Sequence, residues 1–145
     1  MTKLGIKRTT PKKPIKKKAP KVDGLDKLYN KVVKYLANYT CELCGVVPTD
    51  PLKYHTHHYI TRTVQRLRWS FRNTMCVCAE CHSELGKDPK FNTEVFTKRL
   101  GSKGLDELRR QIYTAPKADR EQIKKDLQEF IKIARGTMRR EHGLD

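Results

Sequence analysis

Cys41-Glu-Leu-Cys44 and Cys78-Ala-Glu-Cys81 bracket the segment that decides this fold. Thiolates two residues apart in a tight turn grip one ion from one side, and two such turns complete a tetrahedral site with four cysteine ligands. Gly45, directly after the first pair, suits the tight backbone of such a knuckle. A structural Zn2+ on Cys41, Cys44, Cys78 and Cys81 is therefore expected. Two disulfides are disfavoured because no apolar N-terminal run indicates export. A redox centre needs a CxxC beside a βαβ pattern, and neither count nor context fits. Cys76 is left over; it alternates with Cys78 and is expected in the core as a small apolar side chain. Metal binding of this kind is folding free energy of order 10 kcal/mol, which compensates for a thin core.

Between the knuckles lie His55-Thr56-His57-His58-Tyr59-Ile60 and Asn73, and His82 follows Cys81 directly. No acid occurs from Pro51 to Ala79, whereas Lys53, Arg62, Arg66, Arg68 and Arg72 do. A merely structural segment has little reason to exclude carboxylates so completely; a phosphate-binding surface has one. Trp69 and Phe71 alternate and are expected on a strand with one side packed.

On either side of this segment the pattern is helical. Leu25, Leu28, Tyr29, Val32, Val33 and Leu36 make one apolar stripe, predicting a helix over about Leu25–Asn38. Beyond the second knuckle, Asn92 can cap a short helix carrying Val95, Phe96 and Leu100, ended by Gly101, and another follows over about Leu105–Tyr113. Asp119 and Gln122 resemble a capping box for a last helix. Its apolar face is Ile123, Leu127, Phe130, Ile131 and Ala134, with Gly136 at its end. That face can serve a core or a partner helix.

The whole chain has 145 residues, 32 Lys+Arg against 16 Asp+Glu, and a net charge of +16. Its length suits one domain with a tail. Residues 1–21 hold nine of the basic side chains, no acid, and Pro11, Pro14 and Pro20. Such a segment cannot bury enough apolar surface to offset its ordering entropy. It is read as a disordered basic arm over 1–22, with the run Lys16-Lys17-Lys18 seeking phosphates. A nuclear localisation signal would look the same. No stretch is long and apolar enough to span a membrane. A polyanion is the expected partner, nucleic acid first and an acidic membrane surface second.

Asn73 follows His58 by 15 residues and His82 follows Asn73 by nine. With His58 and Asn73 between two CxxC knuckles and His82 directly after the second, the chain resembles the HNH (ββα-metal) endonucleases. The resemblance implies a β-hairpin and a helix holding one divalent ion, Mg2+ or Mn2+, against a scissile phosphate. It makes His58 the general base, Asn73 the orienting asparagine, and His57 and His82 the metal ligands, with His55 an alternative ligand to His57. The chemistry suits these types. Imidazole titrates near neutrality and can take a proton from water, a divalent ion neutralises the leaving oxygen, and arginine forks fit phosphate. Arg62, Arg66, Arg68 and Arg72 are the candidate DNA contacts.

Cys41-x-x-Cys44-Gly45, His58-Tyr59, Leu67-Arg68-Trp69, Asn73 and Cys78-x-x-Cys81 further resemble the phage NinG (Rap) recombination nucleases. The similarity continues through Phe96-Thr-Lys-Arg-Leu-Gly101, Leu105-Asp-Glu-Leu108 and the final helix. That family implies cleavage of branched DNA, a Holliday junction or D-loop, in phage recombination. Two departures stand out: relatives often have Gly before the base and Asn after the last knuckle cysteine, where this chain has His57 and His82. The colicin-type third metal histidine, four residues past His82, is replaced by Gly86.

The expected architecture is α+β: a zinc-stapled ββα-metal core over about 39–90, within a nuclease domain spanning 23–145, with C-terminal helices over about 92–136. The expected function is metal-dependent DNA endonuclease. The alternatives are a nicking or homing-type HNH enzyme on duplex DNA, or a non-catalytic zinc-stabilised DNA-binding protein. Symmetric junction cleavage would favour a homodimer. A phage-encoded chain would act in the cytoplasm of the bacterial host, and the basic arm leaves the nucleus open.

Overall fold

A computed structural model describes residues 20–50 and 53–141. The expected basic arm, with Lys16, Lys17 and Lys18, lies outside these residues except at its junction with the domain. The described chain is α+β: four helices and one two-stranded antiparallel sheet.

Helix α1 spans Gly24–Leu36. Its start is fixed by a reciprocal cap: the Asp26 N–H donates to Asp23 Oδ1 at 3.0 Å and the Asp23 N–H to Asp26 Oδ2 at 2.9 Å. The apolar stripe buries Leu25, Tyr29, Val32 and Val33. The helix stops before the expected Asn38, because Asn38 and Tyr39 take left-handed φ values of 52° and 51°. The Tyr39 N–H then reaches back to the Lys34 carbonyl at 2.9 Å, satisfying an end group of the helix.

Strand β1, Tyr54–His58, pairs with β2, Thr74–Cys78, in the register Tyr54↔Cys78 to His58↔Thr74. The connection holds two 3-10 turns, Gln65–Leu67 and Phe71–Asn73. Trp69 and Phe71 are therefore not strand residues. Trp69 is buried because its indole N–H finds a carboxylate, Asp26 Oδ1 at 3.0 Å, while Phe71 stays exposed and stacks on Tyr29 at 5.1 Å.

Helix α2, Ala79–Lys87, follows β2 without a loop. Helix α3, Pro89–Thr114, starts one residue later, capped by Asp88, whose Oδ1 accepts from the Lys90 and Phe91 N–H groups at 3.1 Å. Asp88, with Pro89 at the first position, takes the capping role expected of Asn92. Gly101 (φ 74°, ψ 163°) is non-helical, so the span is two helices meeting at a sharp kink, as expected from the glycine. Helix α4, Arg120–Glu141, opens where expected: the Gln122 N–H donates to Asp119 Oδ1 at 3.1 Å. The Gln122 side chain turns to Asp126 at 2.8 Å rather than back to the cap. Gly136 does not end α4, since the helix continues to Glu141.

The sheet is the middle layer. Every residue of β2 is buried, because alternate side chains meet helices on opposite faces. Tyr54 and Cys76 pack with Tyr29, Val32, Trp69 and Leu127 of the α1–α4 side. Met75 and Val77 pack with Leu85, Phe96, Leu105 and Leu108 of the α2–α3 side. In a two-stranded sheet each strand keeps one free edge, and that of β1 lies between α1 and α2. Among the described residues no helix is long and apolar enough to cross a membrane.

Candidate functional site

The four knuckle sulfurs meet. All four lie within 4.8 Å of one another, and Cys44 and Cys78 Sγ stand 3.8 Å apart. A tetrahedral ion with Zn–S bonds of about 2.3 Å sets its sulfurs roughly 3.8 Å apart, so the cluster can hold a metal ion such as zinc. Local backbone turns aim each pair inward: the Cys44 N–H points at Cys41 Sγ and the Cys81 N–H at Cys78 Sγ, each at 3.5 Å.

The thiol chemistry agrees with a metal site. Burial opposes ionisation of Cys41, but the backbone N–H groups of Cys44, Cys78 and Leu43 outweigh it and bring this thiol down to about 7. Burial, then the neighbouring Cys78, Cys44 and Cys41 sulfurs, push Cys81 well up. A bound cation removes that obstacle by taking the charge of every thiolate. Cys76 lies outside the cluster, fully buried, with its thiol raised to about 11 by burial and the Glu42 carboxylate. It is an inert core side chain.

Asn73, fully buried, acts on the backbone. Its Oδ1 accepts from the Ile60 N–H at 2.7 Å, and its Nδ2 donates to the carbonyls of Ile60 (2.9 Å) and Leu67 (3.1 Å). One side chain thus ties both ends of the 60–67 loop to the start of β2, directly behind His58.

Along the free edge of β1 runs a cavity of about 510 Å³. His55, Thr56, His57, His58, Thr61 and Arg62 line one wall, His82 and Gly86 of α2 another, and Asp26, Asn30 and Lys34 of α1 a third. His55 stacks on His82 with ring centroids 4.9 Å apart and planes 4° from parallel, while His57 meets His82 edge-on at 5.5 Å. The structure therefore gathers His55, His57, His58 and His82 at one cavity. Among the described residues, the four cysteines are the only set of three or more His, Cys, Asp or Glu with ligand atoms this close.

His58 Nε2 sits 2.8 Å from the Arg68 carbonyl, which can only accept. The proton is thus on Nε2, and Nδ1 keeps its lone pair. His57 Nε2 is 2.8 Å from Asn92 Oδ1, which fixes its tautomer the same way. Burial holds His57 and His58 below the ordinary imidazole value, with Arg62 and His57 adding to the effect at His58. Burial and the other three histidines do the same for His82. These rings are neutral at pH 7 and able to accept a proton or a metal.

The four candidate arginines separate. Arg62 lines the cavity. Arg66 is tied by Nη1 to the Tyr113 and Ala115 carbonyls at 3.1 and 2.7 Å, bracing the end of α3. Arg72 is exposed and lies against α3, where a Cβ added to Gly104 would come within 3.1 Å of its Nη2. Arg68 corrects the expectation of a surface contact: it is 3% exposed and paired with Asp26, with Nε at 3.0 Å from Oδ1 and Nη2 against Oδ2. A buried guanidinium needs such a partner, and Asp26 is the acid that provides it.

No family model, curated protein or solved structure matches this chain.

Three contributors to the site escape a sequence reading. Asn92 orients His57, Asp26 neutralises Arg68 beside the cavity, and Lys34 brings a cation from α1. Lys34 lying off the apolar stripe of its helix was the only hint among them. The Asn92 and Asp26 contacts join residues 35 and 42 positions apart.

Proposed function

We propose that this chain is a metal-dependent DNA endonuclease of the HNH type, hydrolysing a phosphodiester at the cavity beside β1. The observation that carries this reading is the convergence of His57, His58 and His82 on one cavity while Asn73 secures the loop behind them. Strand β1 carries His57 and His58 on one wall, and helix α2 carries His82 on another.

His58 acts as base. Its Nε2–H is engaged by the Arg68 carbonyl, so a water proton is taken at Nδ1, and burial keeps the ring neutral until it does so. Arg62, on the same wall, pairs with the phosphate oxygens. His57 and His82 fit a catalytic divalent ion as neutral donors, with His55 stacked behind His82 as a further imidazole. A Cβ at Gly86 would meet nothing within 4 Å, so the wall leaves room for water and phosphate oxygen. When bound, Mg2+ or Mn2+ supplies neutralisation of the leaving 3′-oxygen. The resemblance to the NinG nucleases extends the proposal to branched DNA, and the acid-free window from Pro51 to Ala79 supports a polyanionic substrate.

The test uses the full chain with Mg2+ or Mn2+ on matched linear, flap, D-loop and four-way DNA. His58→Ala is expected to lower cleavage at least ~100-fold, the scale of general-base loss, with zinc content and circular dichroism unchanged. Wild-type rates in His58→Ala would reject the base assignment. DNA that is bound with steep salt dependence, yet left intact with every divalent ion, would favour the non-catalytic zinc-stabilised binding protein.

A further inference from the structure

A groove runs between α1 and α4 on the far side of Lys34 from the cavity. It has two joined parts, of about 330 and 600 Å³, which share Lys31, Ile131 and Arg135. Lys34 lines both the first part and the histidine cavity, so the two surfaces meet at one ammonium. Lys31 and Lys34 stand three residues apart on α1, and Lys132 and Arg135 three apart on α4, giving two facing pairs of cations.

Among the described residues, no carboxylate lines either part of the groove. A charged face that is merely solvated usually mixes its signs, and α3 does so: Arg109 pairs with Asp106 at 3.8 Å and Arg110 with Glu107 at 2.5 Å. Among the described residues none of the four groove cations is ion-paired. Among the described residues they are cations without a partner carboxylate, open to an anion from outside.

The floor is apolar and the lip aromatic. Phe130, Ile131 and Ala134 of α4 are only partly covered. Tyr35 leans edge-on against Phe130 at 5.7 Å. Tyr39 is 48% exposed, and two successive non-glycine residues in left-handed conformation, Asn38 and Tyr39 itself, are needed to put it there. Strain of this sort persists where surrounding structure enforces it, and here the Tyr54 hydroxyl holds the Tyr39 carbonyl.

We infer that the α1–α4 groove is a binding site for single-stranded DNA, feeding an unpaired strand past Lys34 to the histidine cavity. Cations along a backbone track with tyrosine faces for unstacked bases are the chemistry of single-strand binding. Duplex DNA hides its bases and is too wide for a cleft between two packed helices. This deepens the nuclease reading: the preferred substrate has an unpaired arm beside the cut, and that consequence rests on the reading being right.

Binding is tested first, on the full chain without Mg2+, by fluorescence anisotropy of a dT oligomer and of a blunt duplex of equal length. The double variant Lys31→Glu/Arg135→Glu is set beside a control on α3, Lys90→Glu/Lys98→Glu, so that both carry the same net charge. The groove pair is expected to weaken dT binding roughly tenfold or more and to flatten the salt slope by about 1.4, the share of two phosphate contacts on a single strand. The control is expected to change dT affinity less than about threefold, as for charges off the track. Tyr39→Ala should weaken dT binding roughly five- to tenfold and leave duplex binding unchanged. Tyr39→Leu, which keeps the bulk without the ring stacking, should match it.

Equal losses in the groove and control pairs, or equal effects of Tyr39→Ala on both DNA forms, would overturn the site. So would a groove pair that weakens duplex more than dT. With Mg2+ added, the groove variants should lose preference for a flap over blunt duplex while still cutting duplex. Absence of cleavage in every protein would sink the nuclease reading, yet the anisotropy would still decide the groove.

Discussion

The cysteine cluster and the histidine cluster share β2's C-terminal knuckle and the first turn of α2, yet they end as different kinds of site. Cys81 and His82 are adjacent on α2 and so point about 100° apart around the helix axis. Cys81 turns inward to a set of four sulfurs within 4.8 Å of one another, with no position left over. His82 turns to a cavity of about 510 Å³, where the imidazoles stack or meet at an edge and leave room for other ligands. One residue of helical rotation separates the closed sulfur cluster from the open cavity.

The comparison breaks most sharply at the cysteines. Cys81→Ser, or removal of metal by a chelator, should unfold the domain, since structural zinc supplies on the order of 10 kcal/mol. Zinc content near one per chain, with loss of the helical circular dichroism signal on chelation, would check this. A chain that stays folded without metal would show the closed site to be dispensable.

Asp26→Asn comes next. It strands the buried Arg68 charge, and breaking a buried pair from one side costs about 3–5 kcal/mol. Burial alone would raise the Asp26 carboxyl, but the Arg68 and Asp23 hydrogen bonds hold it below the ordinary 3.8. Asp23 is lowered to about 2, first by the Asp26 N–H and then by Arg120. Both carboxyls are lowered on folding, so their contribution is complete above 3.8 and is lost as pH falls through the depressed values. The gap between wild type and Asp26→Asn in urea unfolding should therefore be constant from pH 7 to 5 and narrow below 3.8.

Asn73→Ala removes three hydrogen bonds to the backbone of the 60–67 loop, at a cost of about 3 kcal/mol, and should leave the zinc in place. Thermal unfolding beside metal analysis separates it from the cysteine variants. The smallest effect on stability is expected at the open site. His82→Ala should change unfolding by less than ~1 kcal/mol and retain zinc, while abolishing Mn2+ binding read by electron paramagnetic resonance. A His82→Ala protein that unfolds would erase the distinction between the two clusters.

Much of this was legible in the chain itself. Paired CxxC spacing has one efficient physical solution, and the four sulfurs adopt it. The stripe from Leu25 to Leu36 packs as its period requires except at its end, where Leu36 is exposed, and Asp119 caps α4. Cys76, between the ligands, is buried as its alternation implies. Other positions could be misread because local pattern is not burial. Arg68 looks like a phosphate contact within an acid-free window until Asp26, 42 residues earlier, is placed against it. Asn92 has the look of a cap, but Asp88 and Pro89 start α3 sooner and free its amide for His57. Gly136 resembles a stop signal, yet one glycine costs an established helix only about 1 kcal/mol, and α4 runs through it.

The sequence by itself determined the ligand types, the four-cysteine cluster and the helical stripes, because these depend on spacings of a few residues. Tertiary structure alone decided that His55, 27 residues from His82, stacks on it, and that Arg68 is sealed inside while Arg62 faces the cavity. It also brought Lys31 and Lys34 of α1 opposite Lys132 and Arg135 of α4. Those meetings depend on how two helical layers close over one sheet, and no local period encodes that closure.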